Sequence, residues 1–228
     1  MTPNNNLSVL PFYNNREYQD FRKSYAYGDV YPLFTPLNKL LPFQIIRPTR
    51  SNAIRWVRIY DYKITRLLGD ITQQMLETGL QIFRFANYGY DVIVYPGIMP
   101  MALKFPEGRY TIMINDGVNT FVSDVFTWVS GSMDGYLCIE WSDAQNMEVD
   151  GGQIVYEGVQ FKNRVYVCSE LGKPEYKFEE EGEERDGYFF PEKQISEKTF
   201  RFIFLAPEYL CDVMRLIRMS DFVTVYSQ

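Results

Sequence analysis

Histidine is absent from this chain of 228 residues. Because histidine is the commonest general base and a frequent metal ligand, its absence excludes Ser-His and Cys-His nucleophiles. The sequence also lacks a nucleophile elbow, a Walker A loop and a G-x-G-x-x-G stretch. Two carboxylates could still cleave a glycoside, but no motif marks such a pair among the 29 Asp and Glu. We therefore predict that the chain is not an enzyme and needs no cofactor.

Cysteine is scarce, and Cys138, Cys168 and Cys211 lie far apart. An odd number at these spacings fits neither a disulfide framework nor a zinc site. Each has apolar neighbours, which predicts three buried thiols and no bound metal. No apolar run approaches the ~18 residues of a membrane span, and residues 1–11 lack the features of a secretory signal. We therefore expect no membrane partner.

Positive charge is in the minority, which gives the chain a net charge of −6 and argues against a nucleic-acid partner. Residues 1–130 hold 13 basic and 10 acidic side chains, whereas residues 131–228 hold 10 and 19. This change from +3 to −9 is consistent with a domain boundary near residue 130. The two halves could attract each other in neighbouring copies, or both could simply be solvated.

The basic run of Arg47, Arg50, Arg55 and Arg58 is interleaved with aromatic residues. Alternation along a strand divides these arginines between two faces of a sheet. We therefore favour solvated charges at a sheet edge, with docking of an acidic partner as the second interpretation.

The strongest structural pattern is GRYTIMINDGVNTFVSDVFTWV at residues 108–129. Its first half alternates, with Tyr110, Ile112 and Ile114 on one face, and residues 115–117 (Asn-Asp-Gly) then favour a tight turn. The second half is predicted to be one strand with Val122, Phe126 and Trp128 on one face. The turn serves backbone geometry, and we expect a buried Trp128.

The aromatic content of 17% suits the half-buried faces of sheets. We predict a mainly β protein of two β-sandwich-like modules, the first Ig-like and with a small barrel as its alternative. Residues 1–40 form an extended aromatic arm, residues 41–130 the first module and residues 136–228 the second, after a linker at residues 130–135. The second module contains one helix at about residues 207–219, where apolar residues recur at helical spacing, and then a terminal strand at residues 222–226.

Two segments are candidate interfaces. The arm either packs on its own domain or reaches a neighbouring subunit. The acidic segment at residues 178–190 is a solvated loop or a hairpin tip, a cation site, or a surface that docks onto a basic partner. The candidate interface residues are Phe12, Tyr13, Tyr18, Phe21, Tyr25, Tyr27 and Tyr31 in the arm, and Glu179, Glu180, Glu181, Glu183 and Glu184 in the acidic segment.

Five segments spread over the arm and both modules carry a family resemblance. They are FRKSYAYGDVYPLFT at 21–35, LPFQIIRP at 41–48, YDVIVYPG at 90–97, PEGRYTIMINDGVNTFVSDVF at 106–126 and GEERDGYFFPEKQISEKTFRFIFLAPEYL at 182–210. They resemble tail and virion structural proteins of phages and prophages of gut bacteria. The resemblance implies a tail, baseplate or connector subunit in the virion, made in the host bacterial cytoplasm. Its partners would be copies of itself in a ring-like homo-oligomer and other virion proteins.

The alternative function is a carbohydrate-binding or receptor-recognition module, because β-sandwiches host such sites and exposed aromatic side chains stack on sugars. The candidate platforms are Trp56, Trp128 and Trp141, and the partner would be a surface glycan.

Overall fold

The computed structural model describes residues 7–14, 33–37, 39–49, 52–97, 105–130, 134–149, 152–169, 172–201, 203 and 208–227. The strands are β1 (Phe12–Asn14), β2 (Leu33–Pro36), β3 (Phe43–Pro48), β4 (Trp56–Asp61), β5 (Leu67–Asp70), β6 (Gln81–Phe85), β7 (Tyr90–Tyr95), β8 (Gly108–Asn115), β9 (Thr120–Ser123), β10 (Phe126–Val129), β11 (Tyr136–Ser142), β12 (Met147–Val149), β13 (Gly152–Ile154), β14 (Asn163–Cys168), β15 (Glu175–Arg185), β16 (Tyr188–Thr199) and β17 (Phe222–Ser227).

Helices are few in the described part of the chain. The α-helices are α1 (Thr72–Glu77) and α2 (Glu208–Arg215), and short 3-10 turns cover Ala86–Tyr88 and Leu216–Met219. The mainly β class and the helix predicted near the C-terminus are therefore confirmed. No helix among the described residues is long and apolar enough to cross a membrane.

The main sheet contains ten strands. Its path runs β1-β9-β8-β10-β2-β14-β11-β17, and β4 lies along the other edge of β8 with β5 beyond it. All pairs are antiparallel except β10 with β2. The strands β1, β5 and β17 therefore end the sheet.

The second sheet has the order β3-β7-β6; its strands β3 and β7 are largely buried, whereas β6 is partly exposed. Phe43, Ile93 and Tyr95 belong to the hydrophobic core that includes the main sheet. On the other side, Ile46 and Val94 pack in a cluster with Leu7 and residues 154–156. An apolar run without polar alternation, as in β7, is typical of a strand buried on both faces.

The pattern at residues 108–129 folds as predicted in its first half, because Tyr110, Ile112 and Ile114 all face the core. The second half is two strands, which corrects the prediction of one. Asp124 and Val125 separate β9 from β10, so the alternation restarts. Val122 consequently faces the outer side, in a small cluster with Tyr13, while Phe126 faces the core.

Strands from both predicted modules share the main sheet. Val129 at the end of β10 pairs with Pro36 of β2, and Phe34 of β2 pairs with Tyr166 of β14. Residues 33–36, which the sequence assigned to the arm, thus form the seam between β10 and β14. Trp128 is fully buried beside this seam, and its Nε1 donates to the carbonyl of Lys39 at 2.5 Å. The burial predicted for Trp128 is confirmed.

Candidate interaction surface

The β15–β16 ribbon, residues 175–199, stands apart from both large sheets. Its two strands pair with each other in a sheet of their own. Asp186 and Gly187 connect them with φ values of 53° and 78°, and positive φ at both central residues is the hairpin geometry that Asp-Gly favours. Eleven residues in β15 give the ribbon a length of about 35 Å.

Both faces of the ribbon are exposed along β15. Every residue of β15 is exposed, so the strand has no buried side. A two-stranded hairpin that packs on nothing is marginally stable in water. The ribbon is therefore the part of the described chain that gains most from being covered by a partner.

The cross-strand register gives one face of the ribbon a charged character. Lys177 lies opposite Glu197, and Glu181 lies opposite Lys193. Opposite charges across a strand pair stabilise it modestly. The charges on this face are therefore largely balanced by opposite charges within the ribbon, as expected for a solvated surface.

The other face is aromatic near its base. Tyr176 is 70% exposed and Phe178 is 63% exposed, and Tyr176 lies opposite Lys198. The Lys198 ammonium lies 5.7 Å from the Tyr176 ring and 4.9 Å from the ring of Phe200. Exposed aromatic side chains are typical of the centre of a protein interface. We call this face, at Tyr176 and Phe178 together with Phe200 directly after β16, the aromatic face of the ribbon.

The acidic segment was predicted to be a loop or hairpin tip, and the hairpin is correct. The glutamates lie along β15 itself, however, because the turn is at Asp186–Gly187 and eight residues of the segment precede it. Strand β16 ends at Thr199. The candidate residues Glu179, Glu180, Glu181, Glu183 and Glu184 are all exposed on the ribbon.

The aromatic candidates of the arm divide into two groups. Phe12 and Tyr13 lie in β1, which pairs with β9, and both are buried by the chain itself. The ring of Phe12 packs 4.5 Å from that of Phe43. For these two residues the first interpretation, packing on their own domain, is correct. The candidates Tyr18, Phe21, Tyr25, Tyr27 and Tyr31 lie outside the described residues.

A patch of stacked cations and aromatic rings lies on the outer face of β4 and β8. The Arg58 guanidinium is 4.5 Å from the Trp56 ring, and that of Arg109 is 4.5 Å from the Tyr62 ring. Val57 and Ile59 alternate with Trp56 and Arg58 along β4 and face the core. We call this surface the cationic patch; its Arg58 is also paired with Asp70 at 3.3 Å.

Arg47 is buried, which corrects the prediction that the basic run is solvated. Its Nη1 donates to Asp116 at 2.7 Å, its Nη2 donates to the carbonyl of Asn52 at 2.7 Å, and Asp91 lies 3.6 Å away. Arg55 remains exposed, and Arg58 pairs with Asp70 near the surface. Arg50 lies outside the described residues.

Asp116 connects this buried cluster to the turn after β8. Its Oδ1 accepts the amide hydrogens of Val118 and Asn119. Burial alone would raise the pKa of Asp116, but the hydrogen bonds from Asn119, Val118 and Arg47 outweigh it and hold that pKa below its ordinary value. Besides shaping the backbone, as predicted, the turn thus supplies a buried carboxylate that ties β8 to β3.

The cysteines only partly follow the prediction. Cys138 is buried, whereas Cys168 and Cys211 are exposed. Cys168 is the last residue of β14, where burial ends. Burial raises the pKa of the Cys138 thiol, so that thiol is held in its protonated form. In the described chain, no three acidic, cysteine or histidine side chains are placed to share a metal ion.

The three tryptophans are not equivalent. Trp128 and Trp141 are buried in the core, so neither can offer a ring to a sugar. Trp56 is partly exposed, and the Arg58 guanidinium stacks on it. The glycan-binding alternative therefore rests on Trp56.

No protein-family model, curated protein or solved structure matches the chain.

Proposed function

We propose that this protein is a structural subunit that assembles with copies of itself, of the kind that builds a phage or prophage tail, baseplate or connector. The observation that carries the proposal is the β15–β16 ribbon, which is exposed on both faces along β15 and carries the exposed rings of Tyr176, Phe178 and Tyr188. The resemblance of five sequence segments to virion structural proteins supports the same class.

The size of the ribbon suits a protein contact. Residues 175–199 are comparable in number to the ~20–30 residues that each partner contributes to a standard interface. The aromatic face offers Tyr176, Phe178 and Phe200 as anchors, and burying exposed aromatic surface is the main favourable term in association.

The charge of the ribbon favours a basic partner surface. It holds nine acidic and four basic side chains, a net charge of −5. The cationic patch on the outer face of β4 and β8 presents Arg58 and Arg109 on aromatic rings. Opposite charges steer two copies together and disfavour contacts between two ribbons.

Deleting the ribbon tests the proposal. Glu175 and Thr199 are cross-strand partners, so residues 176–198 can be replaced by a two-residue Asn-Gly turn. We expect the variant to fold with an unchanged core, since none of the side chains that the structure describes in residues 176–198 is buried. We expect its mass by light scattering to fall toward that of one chain.

Two matched variants on the same strand separate the two faces. Y176S/F178S changes the aromatic face, and K177S/E179S changes the charged face at neighbouring positions. We expect the first variant to weaken assembly and the second to retain it. If assembly survives both the deletion and Y176S/F178S, the ribbon is not the contact between copies and no longer supports the proposed function.

A further inference from the structure

Strand β17 is an apolar strand at the end of the main sheet. It pairs with β11 along one edge, and nothing in the described chain pairs with its other edge. Phe222, Val223, Val225 and Tyr226 are 42–62% exposed. An exposed edge strand without charge, proline or bulge is a template for pairing with another chain.

The sequence of β17 is complementary to itself. In an antiparallel pair centred on Thr224, Phe222 lies opposite Tyr226 of a second copy, Val223 opposite Val225, and Thr224 opposite Thr224. Aromatic pairs, β-branched pairs and Thr–Thr pairs are the favourable cross-strand combinations. Shifting the centre to Val223 or Val225 breaks these matches and shortens the pairing.

The two faces of such a pair would continue the faces of the main sheet. Val223 and Val225 lie beside Trp141 and Ile139 of β11, which are core residues. Phe222 and Tyr226 lie on the opposite face with Thr224. A two-fold axis perpendicular to the sheet keeps each side chain on its own face, so one apolar layer would run across both copies.

Charge and length favour a second copy as the occupant. No residue of β17 is charged, so no charge meets its own symmetry mate. The other strands that end the main sheet are β1, with three residues, and β5, with four, and neither matches the six residues of β17.

We infer that two copies of this chain pair through β17, antiparallel and centred on Thr224, to make one continuous sheet. The pairing forms about four to six new main-chain hydrogen bonds. A strand pair of this size buries less than the ~1,200 Å² of a stand-alone interface, so a second contact, the ribbon, holds the assembly together. The inference rests on the proposed function, because it specifies one of the contacts between copies.

Disulfide trapping tests the register. In a C168S/C211S background, which removes the two exposed thiols, T224C places two cysteines directly opposite each other at a Cα separation of about 4.5–5.5 Å. This distance lies within disulfide reach. In V225C the two cysteines are diagonal neighbours about 7–8 Å apart, at or beyond that reach.

We expect T224C to form a cross-linked dimer on a non-reducing gel and V225C to remain a single chain. A mixture of V223C and V225C should cross-link, although neither should do so alone. Cross-linking of V225C alone, or of all variants equally, overturns the register.

Charge at residue 224 tests the contact without a disulfide. Thr224 is exposed, so T224K and T224E are compatible with folding. The neighbouring charge on β11 is Glu140, which is already paired with Arg164 at 2.6 Å. Each variant alone should weaken pairing at least about fivefold, because two like charges then face each other. Mixing T224K with T224E should restore it.

The outcomes separate this inference from the proposed function. If T224K and T224E leave the assembly unchanged and T224C does not cross-link, the β17 contact is overturned and the proposed function still stands. A wild-type chain that never assembles and never cross-links overturns both.

Discussion

Asp116 provides the sharpest prediction about stability. It is fully buried and accepts a hydrogen bond of 2.7 Å from Arg47. In D116N the amide can still accept from the backbone of the turn, but the carboxylate charge is lost. Arg47 then keeps Asp91, 3.6 Å away, as its remaining carboxylate partner.

The expected cost of D116N is about 3 kcal/mol. Breaking a buried ion pair by removing one partner typically costs ~3–5 kcal/mol, and the lower end applies because Asp91 still compensates Arg47 in part. Since whole domains are stable by ~5–15 kcal/mol, the loss is large. Urea unfolding followed by the fluorescence of buried Trp128 and Trp141 measures it.

The matched control is D70N. Asp70 also pairs with an arginine, Arg58 at 3.3 Å, but both side chains are substantially exposed. A surface pair contributes ~0–1 kcal/mol, so D70N should cost less than about 1 kcal/mol. Equal costs for D116N and D70N would refute the argument that burial makes the Arg47 cluster important.

The stability of the wild type should also depend on pH through Asp116. Its pKa is lowered in the folded state, so its contribution is present above the unfolded value of ~3.9 and is lost as pH falls toward the folded value. Wild type should therefore lose more stability than D116N between neutral pH and pH ~3. Parallel pH profiles for the two proteins would contradict this assignment.

The remaining predictions concern glycine and cysteine positions. Gly97 has a φ of +63° and a Cβ there would lie 2.7 Å from a main-chain oxygen, whereas Gly89, at φ +74°, has open space around it. Both G97A and G89A incur the strain of a left-handed backbone, but G97A should cost at least about 1 kcal/mol more in urea unfolding because of the clash. Equal costs would contradict the clash. Cys168 and Cys211 should react with a thiol reagent in the folded protein, and Cys138 only after unfolding; three equally fast thiols would contradict the burial of Cys138.

Much of the fold could be predicted from local pattern. The alternation of Tyr110, Ile112 and Ile114 identifies β8 because one of its faces lies in the core. Helical spacing identifies α2, and β17 coincides with the terminal strand predicted at residues 222–226.

The ribbon could not be found by the same rule, because neither of its faces is buried. Without burial there is no selection for apolar alternation, and glutamate disfavours strands. The sequence feature that indicates the ribbon is Asp186-Gly187, a strong hairpin dipeptide. Tyr176 and Phe178, two residues apart on the N-terminal side of this turn, indicate one face of a strand.

Local sequence pattern also could not predict that Arg47 is buried. Its partner Asp116 is 69 residues away, and only the packing of β3 against the turn after β8 brings them together. The sheet neighbours of β2 depend on the same kind of long-range contact. Local sequence pattern specifies that residues form a strand, but not which strand lies beside it.

The division of the chain into modules at residues 130–136 remains a prediction. Strands from both sides of this boundary lie in one sheet, and their connection through Phe34 and Tyr166 is a single residue pair. Outside the main sheet, the two sides also share the cluster of Ile46 and Val94 with residues 154–156, and Gln44 donates to the carbonyl of Val155 at 2.6 Å.

The mass and shape of the purified protein test most directly whether it assembles with copies of itself. Sedimentation velocity over a range of concentrations, with negative-stain images of the same sample, reports both. If copies assemble through the ribbon, the wild type forms species of several copies that disappear when the ribbon is deleted. A single species at the chain mass of 26.9 kDa at every concentration would contradict it.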